Sequence, residues 1–275
     1  MRIRIHHETA YTYQQPAQSV LQILRLTPRD HDGQYVRRWR IDLDHGGTLR
    51  AREDAFGNVI HVLSADGSFA EFSLAVDGEV ETQDTAGIVR GAVERFPPAL
   101  YLRETPLTKA DASIRDFARE AAGRSKNGTL DRLHRILVEL HDRMSFEVGA
   151  TDSGTSAVEA FARGRGVCQD LTHVFIAAGR ALGIPSRYVG GHLLRSDDAT
   201  VQEAGHAWAE AYVDDLGWVG FDPVNGLSPT DAYVRVGIGL DYLSAAPVRG
   251  VQSGGSAEKL AVLVTVDQAA QQQQT

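Results

Sequence analysis

The hydrophobic pattern of this chain changes its period once, and that change constrains the fold more than any other feature. From Arg2 to about Asp84, apolar and polar residues mostly alternate, as in the stretch YVRRWRIDLD. Alternation of this kind predicts half-buried strands. Turn-forming Gly, Asn and Asp residues separate the alternating stretches, and no helical stripe of convincing length interrupts them. We therefore predict an N-terminal β-sandwich over residues 1–95.

The period becomes helical after the double proline in RFPPAL, which removes two backbone donors and stiffens the connection. Apolar residues spaced three and four apart then predict helices near 114–121 and 130–144. The segment after Cys168 is apolar nearly all round, which is typical of a buried helix, and Gly183 is predicted to end it.

Strand-like patterns return in SRYVGGHLL, HAWAEAYVDD and GWVGFDP. The fold class is therefore predicted to be α+β, with a core over residues 99–250 in which the buried helix packs on an antiparallel sheet. A further strand is predicted at 251–267. The glutamine-rich end, 268–275, has too little apolar surface to offset its ordering entropy and is predicted to be a flexible tail.

Charge and composition exclude several classes of function. The formal net charge is −8 and the basic residues are scattered, whereas non-specific nucleic-acid binding requires a concentrated positive face. The start, MRIRIHHETAYTY, contains no apolar segment typical of a signal peptide, and no run approaches the ~18 apolar residues of a membrane span. One cysteine cannot form an internal disulfide. We expect a soluble cytoplasmic protein that binds neither membrane nor nucleic acid.

Cys168 is the only cysteine among 275 residues, and it lies between a Gly-Arg-Gly-Val turn and the buried helix. An ordinary cysteine, with a pKa of about 8.5, is only a few per cent thiolate at pH 7. The free N–H groups and the dipole at a helix N-terminus favour the thiolate, so a nucleophile is well placed there. A buried structural cysteine fits the local sequence equally well.

A nucleophilic thiol needs a base, and the base needs an orienting group. Among ten histidines, His206 stands out because it opens an apolar strand, and Asp222 follows one hairpin later between Phe221 and Pro223. Side chains on an antiparallel pair share a face only when an odd number of residues forms the connecting loop. We therefore predict an odd loop or a bulge between the two strands. Ala209 facing Asp222 without a bulge would exclude the arrangement.

Three ordered blocks, GVCQDLTH with ALGIPSRYVGGHLL, GHAWAEAYVDD and LGWVGFDPVNG, closely resemble the core of the bacterial transglutaminase-like family, a branch of the papain-like thiol enzymes. The β half, including DAFGNVIHVLS, resembles the N-terminal region that accompanies this core in bacteria. The resemblance implies a papain-like core. It also implies that Cys168 is the nucleophile, that His206 is the general base and acid, and that Asp222 orients His206.

The implied reaction forms a thioester from a carboxamide, and the second nucleophile decides the outcome: a primary amine gives transamidation and water gives hydrolysis. Phe146 stands where bacterial relatives often carry a tyrosine and offers no donor, so hydrolysis is at least as well supported as protein cross-linking. The expected partner is a peptide or protein substrate, and an edge of the N-terminal β region would suit a second protein. The alternative function is a catalytically silent module that only binds peptide or protein.

Four further residues are candidates for the site, each with a structural alternative. Gln169 is a second oxyanion donor or a helix cap, and Asp170 caps the helix or contacts a substrate amine. Tyr188 reaches the site with its hydroxyl or is an ordinary strand residue. Trp208 walls the acyl site or packs in the core. The sequence contains no metal-ligand spacing and no phosphate-binding glycine motif, so we predict no metal and no cofactor.

Overall fold

The computed structural model describes residues 1–124, 127–197 and 200–269 of the chain. Its strands are β1 (Arg2–Thr27), β2 (Gln34–Leu43), β3 (Thr48–Glu53), β4 (Val59–Thr82), β5 (Ile88–Val89), β6 (Ser145–Phe146), β7 (Arg165–Gly166), β8 (Ser186–Leu193), β9 (Val201–Gln202), β10 (His206–Val213), β11 (Gly217–Phe221), β12 (Tyr233–Gly239) and β13 (Val248–Gln268). Its helices are α1 (Ala112–Gly123), α2 (Thr129–Arg143), α3 (Ala157–Arg163), α4 (Cys168–Ala181) and α5 (Tyr242–Ala245), with a 3₁₀ helix at Pro98–Leu102. The predicted α+β class is confirmed.

The N-terminal sheet is one continuous surface that folds back on itself. Its order is β2-β4-β1-β13-β9, with β3 beside β4. Along β4, Leu74 pairs with Leu43 and Ser64 pairs with Thr48. The chain from Leu43 to Thr48 spans at most about 18 Å, whereas a straight β4 between their partners would span about 33 Å. β4 must therefore bend, and the predicted sandwich forms from two halves of a single sheet that share one core, which includes Tyr11, Leu24, Leu63 and Phe72.

The C-terminal segment completes this same sheet. Strand β13 pairs with β1 along nearly its whole length, from Leu24 opposite Val248 to Ile3 opposite Gln268. The strand predicted at 251–267 lies within β13. The predicted flexible tail is wrong at its first two residues, because Gln268 pairs with Ile3 and the buried Ala269 donates its N–H to the carbonyl of Arg2; residues 270–275 lie outside the described residues.

Helix α4 packs on the second sheet, which has the order β12-β8-β10-β11-β5. Every residue from 169 to 180 is buried, as the nearly continuous apolar sequence predicts. The chain leaves the helix through Gly183, whose φ of 76° is the left-handed conformation that glycine adopts without strain. Helices α1, α2 and α3 pack around α4, and the first two agree with the predicted positions. The single cysteine therefore lies at the N-terminus of a buried helix.

A buried network of charges joins three strands on the face of this sheet opposite α4. Arg187 of β8 donates to Glu210 of β10 at 2.7 Å and to Glu94 at 2.7 and 2.9 Å. Arg235 of β12 donates to the other oxygen of Glu210 at 2.7 Å. The guanidinium of Arg187 also lies 3.8 Å from the ring centroid of Trp218. Because these charges compensate one another, removal of one would leave another buried without a partner.

Two buried histidines meet where the N-terminal sheet contacts the second sheet. The rings of His7 on β1 and His192 on β8 are perpendicular, with centroids 5.8 Å apart. Nδ1 of each ring has no hydrogen-bond partner among the described residues. Burial, reinforced by neighbouring histidines, lowers the pKa of His7 to about 4 and that of His192 to about 3. Both rings are therefore neutral in the folded protein at pH 7.

This pair predicts that stability falls as the pH falls below about 6.5. The unfolded chain protonates these histidines near the ordinary pKa of 6.5, whereas the folded protein resists protonation down to about pH 4. Each ring should lower the free energy of unfolding by about 2 kcal/mol between pH 6.5 and 4.5. We expect His7→Gln to weaken this pH dependence in urea unfolding.

The matched control for this prediction is Gln22→Ala. Gln22 is a buried residue of the same strand without a titratable group, so its substitution should lower stability at every pH and leave the slope of stability against pH unchanged. Equal slopes for His7→Gln and the parent protein would contradict this account of the buried pair.

Candidate active site

A tight turn presents Cys168 as the first residue of α4. Helix α3 ends at Gly164 in the left-handed conformation, with a φ of 64°, and β7 follows directly. A Cβ atom on Gly166 would lie 2.7 Å from the side chain of Asp170, so the turn requires glycine there. As the first helical residue, Cys168 has a backbone N–H without an acceptor inside the helix. Its side chain remains partly exposed.

The carboxylate of Asp170 holds this turn together from inside. It accepts hydrogen bonds from the backbone N–H of Val167 at 2.8 Å and from the hydroxyl of Thr151 at 2.5 Å. Burial raises the pKa of Asp170, although both bonds oppose the rise. The side chain is fully buried. Of its two predicted roles, the geometry supports the helix cap rather than contact with a substrate amine.

The hairpin of β10 and β11 brings His206 and Asp222 to one face of the sheet. Val213 pairs with Gly217, which leaves a connecting loop of three residues, 214–216. The predicted odd loop is therefore confirmed, and Ala209 faces Phe221 rather than Asp222. Nε2 of His206 lies 2.7 Å from Oδ2 of Asp222.

Asp222 is completely buried and has five hydrogen-bond donors. The turn that follows supplies the backbone N–H groups of Val224 and Asn225, at 2.9 and 3.3 Å, and the side-chain amide of Asn225 at 2.7 Å. Tyr233 donates its hydroxyl at 2.7 Å, and His206 is the fifth donor. Burial alone would raise the pKa of Asp222, but these donors, led by His206, lower it. The carboxylate is therefore an anion held in one orientation.

The imidazole of His206 connects this carboxylate to the thiol. Burial alone would lower its pKa, but the hydrogen bond with Asp222 and the interaction with Cys168 raise the pKa of His206 to about 10. Because Nε2 is engaged by Asp222, Nδ1 is the nitrogen available to the sulfur. Sulfur, imidazole and carboxylate thus interact in series, an arrangement that can remove a thiol proton and return it to a leaving group.

The other residues discussed for the site in the sequence analysis make the following contacts. The amide of Gln169 donates to the carbonyl of Ser153 at 3.4 Å. The ring of Trp208 lies nearly parallel to that of His206, with centroids 6.3 Å apart. Tyr188 is buried and has an electrostatic interaction with Cys168, which contributes, after burial, to raising its pKa. Phe146 is half exposed on β6, which pairs with β7 just before Cys168.

Two residues of this region were not predicted from the sequence. Tyr233 binds Asp222 from a strand that follows it in the chain, and no local motif marks this contact. Tyr242, in α5, donates its backbone N–H to Nε2 of the buried His173 at 3.0 Å and interacts electrostatically with Cys168. Nothing in the spacing of either tyrosine distinguishes it from a packing residue.

The described residues contain no group of three or more His, Cys, Asp or Glu side chains that could hold a metal ion. Within the same residues, none of the helices has the length and apolarity needed to span a membrane.

Comparisons with known proteins agree with this architecture. Residues 115–223 match the transglutaminase-like superfamily, and residues 3–81 match the bacterial transglutaminase-like N-terminal region. An uncharacterized protein of Mycobacterium leprae is 30% identical over 281 residues, covering 96% of this chain and 98% of that protein. An uncharacterized protein of Mycobacterium tuberculosis is 27% identical over 289 residues, covering 97% of this chain and 92% of that protein.

Among solved structures, a candidate cysteine protease from Cytophaga hutchinsonii has a similar fold. The two superimpose with a TM-score of 0.75 at 21% identity, covering 95% of this chain and 90% of that chain. The likeness therefore extends over the N-terminal sheet as well as the core. The chain belongs to the transglutaminase-like superfamily and carries the bacterial N-terminal region of that family.

Proposed function

We propose that this protein is a cysteine-dependent amide-bond enzyme that acts on peptide or protein substrates through a thioester. The observation that supports the proposal is the position of one imidazole, that of His206, which lies 2.7 Å from the buried Asp222 and interacts electrostatically with the partly exposed Cys168. A module that only binds peptides has no use for a base whose proton affinity is raised beside a thiol.

In the proposed reaction, the proton shared by Cys168 and His206 already lies on the imidazole, which keeps its hydrogen bond to Asp222, when the sulfur attacks. The sulfur forms a bond to the carbonyl carbon, and the π electrons of the C=O bond move to oxygen. When this intermediate collapses, the C–N bond breaks and the amine leaves with the proton held by His206. A thioester on Cys168 remains.

The second half of the reaction frees the sulfur. His206, neutral after protonating the leaving amine, takes a proton from water or from a primary amine as that nucleophile attacks the thioester carbonyl. The C–S bond then breaks, and the bonding electrons stay on the sulfur beside the protonated imidazole. Water yields a carboxylic acid, and an amine yields a new amide.

The backbone N–H of Cys168 is the proposed donor to the oxyanion, because it opens α4 and has no acceptor within the helix. Phe146, which neighbours this turn, carries no donor. Cys168 is partly exposed, so water can reach the proposed acyl group. We therefore propose hydrolysis, as in a peptidase or isopeptidase, with transamidation as the outcome when a primary amine reaches the thioester first.

We expect Cys168→Ala to lose turnover by a factor on the order of 10⁴ or more, because no other thiol can form the thioester. The measurement offers purified protein a panel of glutamine, isopeptide and peptide amides, each with and without a primary amine. Ammonia or peptide release without added amine indicates hydrolysis, and incorporation of the amine indicates transamidation. Equal release by the parent protein and by Cys168→Ala on every substrate would refute the proposal.

The raised pKa of His206 also predicts the pH at which kcat/KM falls on the alkaline side of its pH profile (the alkaline limb). Burial lowers this pKa but Asp222 and Cys168 raise it to about 10, so the protonated imidazole should persist to nearly that pH. Asp222→Asn removes the negative charge, so the limb should move toward neutral pH and kcat should fall by about 10²- to 10⁴-fold.

Asp214→Asn, in the exposed loop of the same hairpin, is the control for Asp222→Asn. It should leave the alkaline limb in place. An identical limb in Asp222→Asn and in the parent enzyme would rule out control of the imidazole by Asp222.

A further inference from the structure

Strand β12 forms one edge of the second sheet, and its outer backbone groups are bound by side chains of the N-terminal region. The carboxamide of Gln34 accepts from the N–H of Arg235 at 2.8 Å and donates to its C=O at 2.9 Å. The carboxamide of Asn58 binds the N–H and C=O of Ile238 in the same way, both at 2.8 Å. Each side chain thus imitates one residue of a neighbouring strand at an edge that would otherwise be open.

Both carboxamides are themselves fixed and buried. The amide of Gln34 also donates to the carbonyl of Arg29 at 2.8 Å, and that of Asn58 donates to Asp54 at 3.0 Å. The exposed fraction is 4% for Gln34 and 5% for Asn58. The N-terminal region therefore holds β12 at two defined points rather than through general packing.

Tyr233, the first residue of β12, connects this strand to the candidate active site. Its hydroxyl donates to Oδ2 of Asp222 at 2.7 Å, the oxygen that also binds His206. Its ring packs edge-on against Trp208, with centroids 5.4 Å apart, and lies 5.9 Å from the ring of His206. Gln34 binds the backbone of β12 only two residues further along, at Arg235.

Tyr233 differs from most other donors to Asp222 because it lies on a different element of the fold. Val224 and Asn225 belong to the same turn as Asp222, so they move with that turn and cannot fix it relative to the strand that carries His206. Among the described residues, Tyr233 is the one donor besides His206 that comes from outside the turn. Its loss would let the carboxylate and the imidazole change their relative position.

We propose that Tyr233 is a positioning residue for the His206–Asp222 pair, and that the N-terminal region keeps it in place by binding the edge of β12 through Gln34 and Asn58. The effect expected on turnover rests on the proposed function, whereas the effect expected on the imidazole does not. The N-terminal region thereby has a role in the chemistry without contributing a group to the reacting atoms.

The first test is Tyr233→Phe, which removes the hydroxyl and keeps the ring. In a Cys168→Ala background, which removes the thiol, NMR titration of His206 should show the pKa of the imidazole lowered by roughly 0.5, because the carboxylate of Asp222 is no longer held in place against the ring. With Cys168 present, kcat on the best amide substrate should fall about 10-fold while KM changes little. Tyr212→Phe, on β10, is the control and should change neither quantity.

The second test is a double-mutant cycle between Gln34→Ala and Tyr233→Phe. Gln34→Ala should shift the pKa of His206 and reduce kcat in the same direction as Tyr233→Phe, but less. The double variant should be no worse than Tyr233→Phe alone, because both substitutions act through one hydroxyl. Gln22→Ala removes another buried glutamine of the N-terminal sheet and should lower thermal stability without moving the imidazole titration.

Two results would overturn the proposal. An unchanged titration of His206 in Tyr233→Phe would exclude Tyr233 as a positioning residue. Additive effects of Gln34→Ala and Tyr233→Phe would mean that the N-terminal region does not act through Tyr233. A parent protein inactive on every amide would refute the proposed function instead, and the NMR titrations would still decide the positioning role.

Discussion

The buried carboxylate of Asp222 is the constraint on which the site depends. Removing a carboxylate from water costs several kcal/mol unless hydrogen bonds and a positive charge compensate the loss. Here the compensation comes from the turn after Asp222, from Tyr233 and from His206. Because the buried anion needs a cation beside it, it keeps the imidazole protonated and in one orientation. The stability of the fold and the proposed reaction thus both require a protonated imidazole beside Asp222.

Three elements of the core bring the three side chains of the site together. Helix α4 carries the sulfur on its first residue, β10 carries the imidazole, and the turn after β11 carries the carboxylate. The N-terminal sheet supports them through Gln34 of β2, which binds the edge of β12, and Glu94, in the segment between β5 and the 3₁₀ helix, binds Arg187 of the buried network. Two sheets that differ in topology therefore act as one support for three side chains.

Local sequence patterns predict those parts of the structure that depend on neighbours in the chain. The buried helix after Cys168 and the odd number of residues in the loop between β10 and β11 follow from hydrophobic periodicity and strand parity. The bend of β4 depends on its pairing with both β2 and β3, and the sheet is completed by the pairing of β13 with β1, which lie far apart in the chain; no local pattern encodes either. The contact of the Tyr233 hydroxyl with Asp222 could not be predicted for the same reason. In the sequence, a strand tyrosine that only packs looks the same as one that donates a hydrogen bond.

The most direct test of this account is an NMR titration of the His206 imidazole in the intact protein. Burial alone would lower its pKa, but the interactions with Asp222 and Cys168 predict a value of about 10, far above the ordinary 6.5. An imidazole that stays protonated past pH 8 would confirm that the buried anion controls it. A midpoint at or below 6.5 would contradict the central claim, because burial would then outweigh the carboxylate.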